Sequence, residues 1–312
     1  MIAVLAVVGP TASGKTALAI ELAERLDTEI ISADSMQVYK GMEIGTAAPT
    51  AEERARVKHH FVGFLDPGEF FSAGEYQKAA RAVVTRLNAD GKIAVAVGGS
   101  GLYIRALLDG LFEGPAKDDR VRERLHREAE EHGVGNLYER LGTIDPAYAW
   151  SINENDRRRV VRALEVYELT GQPLSKFYEA QRARPSALVA NQIALDWPRH
   201  ELYERINRRA DHIFTRGFVA EVKGLVNAGY QKQLDRLRSL GYRETAAYLR
   251  GECTLEEAKE RMKQNTRRFA KRQLTWFRAD KRVHWLPVIA DETPAACAAR
   301  ILIWIGTVEK VR

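Results

Sequence analysis

With 312 residues, 45% of them hydrophobic, the chain exceeds what one core usually holds, which predicts a main domain with a smaller one beside it. Its 48 Lys+Arg against 42 Asp+Glu leave +6, a mild excess that favours a polyanion without identifying one. Two distant cysteines, Cys253 and Cys297, exclude a disulfide framework or Cys-x-x-Cys zinc site and fit a reducing cytoplasm, and no stretch approaches the ~20 apolar residues of a membrane helix, so a soluble protein is expected.

In chain order, the apolar run 2–8 has no basic residue ahead of it and leads into a glycine-rich turn, so it reads as a buried strand over 3–8. The turn, Gly9-Pro10-Thr11-Ala12-Ser13-Gly14-Lys15-Thr16, fits G-x-x-x-x-G-K-[ST], and the helical pattern 17–26 follows it. Glycines let backbone N–H groups converge on phosphate oxygens, Lys15 adds a full charge, and the Thr16 hydroxyl is placed to ligate Mg²⁺. A strand over 29–32 then feeds Ser32-Ala33-Asp34-Ser35-Met36-Gln37. In a parallel sheet Asp34 lands on the carboxyl edge beside the phosphate loop, as general base, metal ligand or turn cap.

His59 and His60 lack spaced partner ligands and read as packing or hydrogen-bonding residues. The capping box Ser72-x-x-Glu75 starts a helix running through Tyr76, Ala79, Val83 and Leu87 to a polar turn at 88–91. The next strand, 93–97, ends in Gly98-Gly99-Ser100, with no carboxylate where ATP-driven relatives of this loop commonly hold their second magnesium ligand. From about Pro115 to Pro185 charged helical segments, 120–131 and 157–169, are broken by Gly133, Pro146, Gly171 and Pro173 without a strong strand. The expected fold is α/β: a parallel sheet flanked by helices over 1–114 and 191–312, with an all-helical insertion over 115–190.

After it come a strand over 192–195, a helix over 199–215, the segment 218–227, a helix from the capping box Thr254-x-x-Glu257 to about Arg278, a strand over 283–288 and a last helix. On the long helix Leu255, Ala258, Met262, Thr266, Phe269, Gln273 and Trp276 share a mostly apolar face at about 100° per residue. Arg261, Arg268 and Arg272 line up beside it, extended by Arg267, Lys271 and Arg278. Such a flank, like the run Arg157-Arg158-Arg159, is either a solvated surface or a set of RNA phosphate contacts. Trp276 and Trp285 read as core.

These residues together resemble the tRNA dimethylallyltransferases, also called tRNA isopentenyltransferases. The resemblance is carried by Gly9–Thr16, by Ser32-Ala-Asp-Ser-Met-Gln-Val-Tyr-Lys-Gly-Met-Glu-Ile-Gly-Thr-Ala47 and by Gly98-Gly-Ser-Gly-Leu-Tyr103. Asn155-Asp156 with Arg162-Ala-Leu-Glu165, Arg205-Ile-Asn-Arg-Arg209, Gly241-Tyr-Arg243 and Lys271-Arg-Gln-Leu-Thr-Trp-Phe-Arg278 extend it over nearly the whole chain. It implies a P-loop NTPase-like fold whose loop holds the diphosphate of dimethylallyl diphosphate with Mg²⁺, and an inserted helical domain that grips the anticodon stem-loop of tRNA. It also implies Asp34 as general base, Ser35, Met36 and Gln37 against a flipped adenine, and Lys15 and Thr16 on the diphosphate. Ser100 and Arg122 lie by the tRNA, as do Arg158, Arg159, Val160, Val161 and Arg162, and Arg238, Ser239, Leu240, Gly241, Tyr242 and Arg243. Arg105 and Arg209 match basic positions associated with the leaving diphosphate. Ser100 stands where many members have Thr, and Arg158 where some have Gln. A monomer without membrane contact is expected.

The chemistry agrees with these residues. An exocyclic adenine amine is a weak nucleophile whose proton a base can take as the C–N bond forms, and charge grows on the departing diphosphate beside Lys15 and the loop amides. A small-molecule kinase, with ATP in the loop and Asp34 activating a hydroxyl, and an RNA-binding nucleotide switch are the competing readings.

Overall fold

The computed structural model describes residues 3–112, 114–115, 117–183, 188–237 and 239–311, with the backbone alone over 307–311. The chain opens with β1 (Val4–Val8), α1 (Lys15–Arg25), β2 (Ile30–Ser32), α2 (Glu43–Thr46), α3 (Ala51–Arg56), β3 (His59–His60), α4 (Ala73–Ala89), β4 (Ala94–Gly98) and α5 (Gly101–Leu108). Five helices follow: α6 (Asp119–Glu131), α7 (Val134–Ile144), α8 (Pro146–Ala149), α9 (Arg157–Thr170) and α10 (Leu174–Ala183). The remainder is β5 (Ala190–Asp196), α11 (Arg199–Thr215), α12 (Phe218–Asn227), α13 (Gln231–Leu237), α14 (Tyr242–Leu249), α15 (Leu255–Ala279), β6 (Val283–Pro287) and α16 (Pro294–Val311).

The strands form one parallel sheet in the order β3-β2-β4-β1-β5-β6, with Val4 opposite Ala94 on one side and Ala190 on the other. Buried on both faces, β1 divides its side chains by the two-residue period of a strand. Leu5 and Val7 pack with Leu18, Leu22 and Ile301 of α1 and α16, whereas Val4, Ala6 and Val8 pack with Tyr76, Ala80 and Ile104 of α4 and α5. The loops after β1 and β4 therefore leave toward opposite faces, and the crevice between them is the switch point at which such sheets bind ligands.

Residues Gly110–Ser186 form a separate compact unit, helical throughout its described residues, with Leu125, Leu137, Leu141, Val160 and Leu164 in its core. The sheet resumes before residue 191, because Ala190 already pairs with Val4. No described helix is long and apolar enough to cross a membrane.

Two expectations shift. The buried face of α4 is Tyr76, Ala80, Val84 and Leu87, with Ala79 and Val83 half-buried at its edge, because the helix is rolled toward α5, where Tyr76 stacks on Tyr103 at 4.1 Å. On α15 the buried residues are Ala258, Met262, Ala270, Gln273 and Phe277. A 25-residue helix cannot keep one straight stripe against two neighbours, and its later turns rotate Phe277 into the sheet-face core. His59 and His60 form β3, an edge strand of two residues, too short to show a period.

The edge is tied by charge. Glu29, just before β2, accepts from His60 Nε2 at 2.5 Å and from Arg86 of α4. Burial opposes ionisation of this carboxylate, but the hydrogen bonds from His60 and Arg86 outweigh it and hold the group at about 2, down from 4.5. The resulting stability is present above pH ~4.5 and is lost as pH falls through about 2. Glu29→Gln is therefore expected to cost about 1–2 kcal/mol at neutral pH, with the difference from wild type closing as acid unfolding is measured toward pH 2. A pH-independent difference would refute the assignment.

Candidate active site

Residues Gly9–Thr16 connect β1 to α1, with Gly14 as the helix N-cap at φ 95, a conformation costly for any residue with a Cβ. The first-turn N–H groups of α1 have no intrahelical acceptors, which makes the loop an anion cradle with the positive end of the helix dipole behind it. Lys15 folds back so that Nζ donates to the Pro10 carbonyl at 2.5 Å. The cavity above the loop is lined by Thr11, Lys15, Thr16, Asp34, Gln37, His59, Arg209 and Gln273.

Two cations face one carboxylate in this cavity. Burial, followed by the charge of Arg209, pushes the Lys15 ammonium down to about 7 against the pull of Asp34. Burial likewise lowers Arg209, again opposed by Asp34, and Arg209 Nη2 donates to the Thr46 carbonyl at 3.3 Å. Desolvated positive charge in excess of its counter-charge creates a potential that an entering anion relieves.

Asp34 sits where the loop after β2 turns, its Oδ1 accepting from the backbone N–H of Met36 at 2.9 Å and of Gln37 at 3.4 Å. The turn-cap role and a cavity-facing role thus coexist in one side chain. Ser100 supports the same loop by accepting from Ser35 N at 3.1 Å and donating to Ser35 Oγ at 3.3 Å. Gln37 is engaged by the protein itself. Its amide donates toward the carbonyls of Thr46 at 3.4 Å and Ala47 at 3.3 Å, and Ser32 Oγ donates to its Oε1 at 3.2 Å. In this arrangement its carboxamide braces the turn.

A second cavity adjoins the first and shares Thr11, Asp34, Thr46, Arg209 and Phe269 with it. Its polar rim holds Ser35, Ser100 and Ser239, and its wall is apolar: Met36, Ile206, Ala210, Ile213, Leu237, Leu240 and Met262. Thr266 and Phe269, expected on the packed face of α15, line this chamber instead. A cationic cradle therefore opens into an apolar chamber with Asp34 at the shared edge.

Other expected site residues lie apart from this junction. Arg105 is exposed on α5, stacked 4.6 Å over the Trp276 ring, and lines neither cavity. Ser13 is buried, its hydroxyl without a hydrogen-bond partner among the described residues. Gly241 N donates to Glu244 Oε2 at 2.9 Å, Tyr242 is buried with its hydroxyl donating to Glu221 Oε1 at 2.6 Å, and Arg243 is exposed. Tyr242 thus serves the core, while Arg238 lies outside the described residues.

In the helical unit Arg122 and Arg162 converge on the buried Glu165, at 2.7 and 2.8 Å, and Asp118 N adds a third hydrogen bond at 3.0 Å. Burial opposes ionisation of Glu165, and the guanidiniums outweigh it and hold the carboxyl below its usual range. Arg158 and Arg159 are exposed, Arg159 beside Asp156 at 3.4 Å, whereas Val160 and Val161 are core residues whose side chains pack inside the unit. On α15, Arg261, Arg268, Lys271 and Arg272 are exposed, Arg267 donates to Asn207 Oδ1 at 2.6 Å, and Arg278 pairs with Asp196 at 3.0 Å.

The sequence pattern missed Gln273 and His59. Gln273 occupies an apolar register position of α15, and the only signal for it was a carboxamide where a methyl group would pack. His59 lines the cradle, its Nδ1 at 2.7 Å from the Val57 carbonyl and its Nε2 without a partner among the described residues. Among those residues no cluster of three or more His, Cys, Asp or Glu forms a metal cage.

A family model described as IPP transferase matches residues 37–280. The tRNA dimethylallyltransferase of Geobacter sulfurreducens is 47% identical over 283 residues, which is 91% of each chain. The full-length tRNA isopentenylpyrophosphate transferase of Bacillus halodurans superimposes with a TM-score of 0.71 at 39% identity, over 99% of this chain and 98% of that one. A eukaryotic dimethylallyltransferase described as acting on tRNA gives a TM-score of 0.81 at 27% identity, over 97% of this chain and 78% of its own.

Proposed function

This chain belongs to the IPP transferase family, the tRNA dimethylallyltransferases, and from that premise we propose that it moves a dimethylallyl group from dimethylallyl diphosphate to the exocyclic N6 amine of the adenosine immediately 3′ of the tRNA anticodon. The observation that carries this reading is the junction of the two cavities: a cationic cradle for diphosphate, an apolar chamber for a five-carbon chain and a base, and one carboxylate at their common edge.

In this scheme Lys15, Arg209 and the loop amides hold the diphosphate. As the allylic C1–O bond breaks, negative charge grows on the leaving oxygen, and these fixed donors stabilise it more than they stabilise the bound substrate. The N6 lone pair forms the new C–N bond while the Asp34 carboxylate takes the N6 proton. The adenine must first leave its stack at a cost of a few kcal/mol, which contacts between basic side chains and the phosphates of the anticodon stem-loop offset. The exposed cations of α15 and Arg158 and Arg159 of the helical unit are suited to such contacts.

Mg²⁺ fits the donor set. Thr16 and Asp34 bring hard oxygen atoms to one cavity, and an ion that keeps most of its waters and phosphate oxygens needs few protein ligands. When bound, it would supply further neutralisation of the diphosphate.

Purified protein incubated with Mg²⁺, radiolabelled dimethylallyl diphosphate and unmodified tRNA carrying adenosine after the anticodon is expected to label the adenine amine without ATP. No label, with γ-phosphate consumed in a parallel ATP assay, would transfer the reading to a small-molecule kinase.

A further inference from the structure

The phosphate loop is gripped by side chains far from it in sequence. Residue 12 is alanine, yet it sits at φ 64, a left-handed conformation that costs an L-residue roughly 1 kcal/mol. Three side chains from the second half of the chain grip the residues around it. Gln273 of α15 accepts from Thr11 N at 2.9 Å and donates to the Gly99 carbonyl at 2.9 Å. Arg205 of α11 donates from Nε to the Ala12 carbonyl at 2.9 Å, and Trp197 donates from Nε1 to the Ser13 carbonyl at 2.9 Å. Arg205 and Trp197 also brace each other, the guanidinium lying 4.2 Å over the indole.

A trans peptide is planar, so its C=O and the N–H of the next residue point in opposite directions. Holding the Ala12 and Ser13 carbonyls toward Arg205 and Trp197 therefore turns the N–H groups of Ser13 and Gly14 away from those two side chains. Gly14 N–H has no protein acceptor among the described residues. Gln273 fixes the Pro10–Thr11 peptide and ties it to Gly99, just after β4. The tie is close-fitting: a Cβ on Gly99 would lie 2.1 Å from the Gln273 amide nitrogen.

We propose that Trp197, Arg205 and Gln273 are positioning residues that preset the phosphate loop, turning its amides toward diphosphate before the substrate arrives. This rests on the reading of the cradle as the diphosphate site. None of the three has to touch the substrate. They act by removing the reorganisation that binding would otherwise require.

Neutral substitutions separate this role from a change of charge. In the full-length protein, Gln273→Met and Trp197→Phe keep volume or ring stacking while deleting the hydrogen bonds to the loop. Each is expected to raise the dissociation constant for inorganic diphosphate, measured by calorimetry, about tenfold, as losing one such constraint implies. The KM for dimethylallyl diphosphate should rise in step, while affinity for an anticodon stem-loop RNA stays at the wild-type value.

A second comparison isolates the strained alanine. In an Ala12→Gly background, where φ near 64 carries no steric cost, Gln273→Met should weaken diphosphate binding less than it does in the wild-type background. A variant whose thermal midpoint falls but whose diphosphate affinity and KM are unchanged would overturn the proposal, as would an equal effect in both backgrounds. Wild-type protein that neither binds diphosphate nor transfers label would instead overturn the functional reading beneath it.

Discussion

Asp34→Asn is expected to cut single-turnover prenyl transfer by a factor of about 10²–10⁴, the usual contribution of a positioned general base, while tRNA affinity stays near wild type. The choice of Asn follows from the structure. Asp34 Oδ1 accepts from the N–H groups of Met36 and Gln37, and an asparagine carbonyl oxygen can keep both hydrogen bonds. What Asn cannot do is accept the N6 proton. Asp34→Ala removes the base and the turn cap together, so it should add a loss of RNA affinity as residues 35–37 loosen. The comparison therefore separates chemistry from scaffolding. If Asn and Ala lower RNA affinity and turnover equally, Asp34 is a turn residue only, and the proton must leave by another route.

Lys15→Met is expected to lower kcat by about 10²–10³, the cost of losing one fixed donor at a developing anion, with a weaker effect on KM. Lys15 is held near the loop by the Pro10 carbonyl and shares its cavity with Arg209, so its protonated form in the free site stands desolvated and under repulsion from Arg209. Charge that is strained in the free protein and relieved by diphosphate is relieved most when the C–O bond is broken and the anion is fully formed. The measurement is presteady-state transfer at saturating tRNA. A change confined to KM would mean that Lys15 holds ground state and transition state equally and contributes no rate.

Much of the site was legible because its signals are local. A glycine-rich turn between an apolar run and a helical pattern needs only its neighbours in sequence to be understood, and β1, α1 and the cradle between them follow from it. Asp34 was legible for a similar reason: a carboxylate directly after a parallel strand falls on the binding edge whatever the rest of the chain does. The capping boxes at Ser72 and Thr254 set the starts of α4 and α15, since both partners of each box lie within one turn.

The sequence by itself therefore determined the fold class, the glycine-rich loop between β1 and α1, the acid beside it and, through the combined motifs, the family. The tertiary structure alone decided what depends on residues far apart in the chain. That the Gln37 amide braces the carbonyls of Thr46 and Ala47 cannot be read from its neighbours in sequence. Val160, Val161 and Tyr242 sit in segments matched to RNA contact, yet their side chains pack inward. Gln273 looks like a flaw in an apolar stripe until Thr11, 262 positions away, is found donating to it. Periodicity reports which side of a helix is buried, to within the roll that packing imposes. It carries no information about which backbone group from another element arrives there, because that partner is chosen by the fold and not by the spacing.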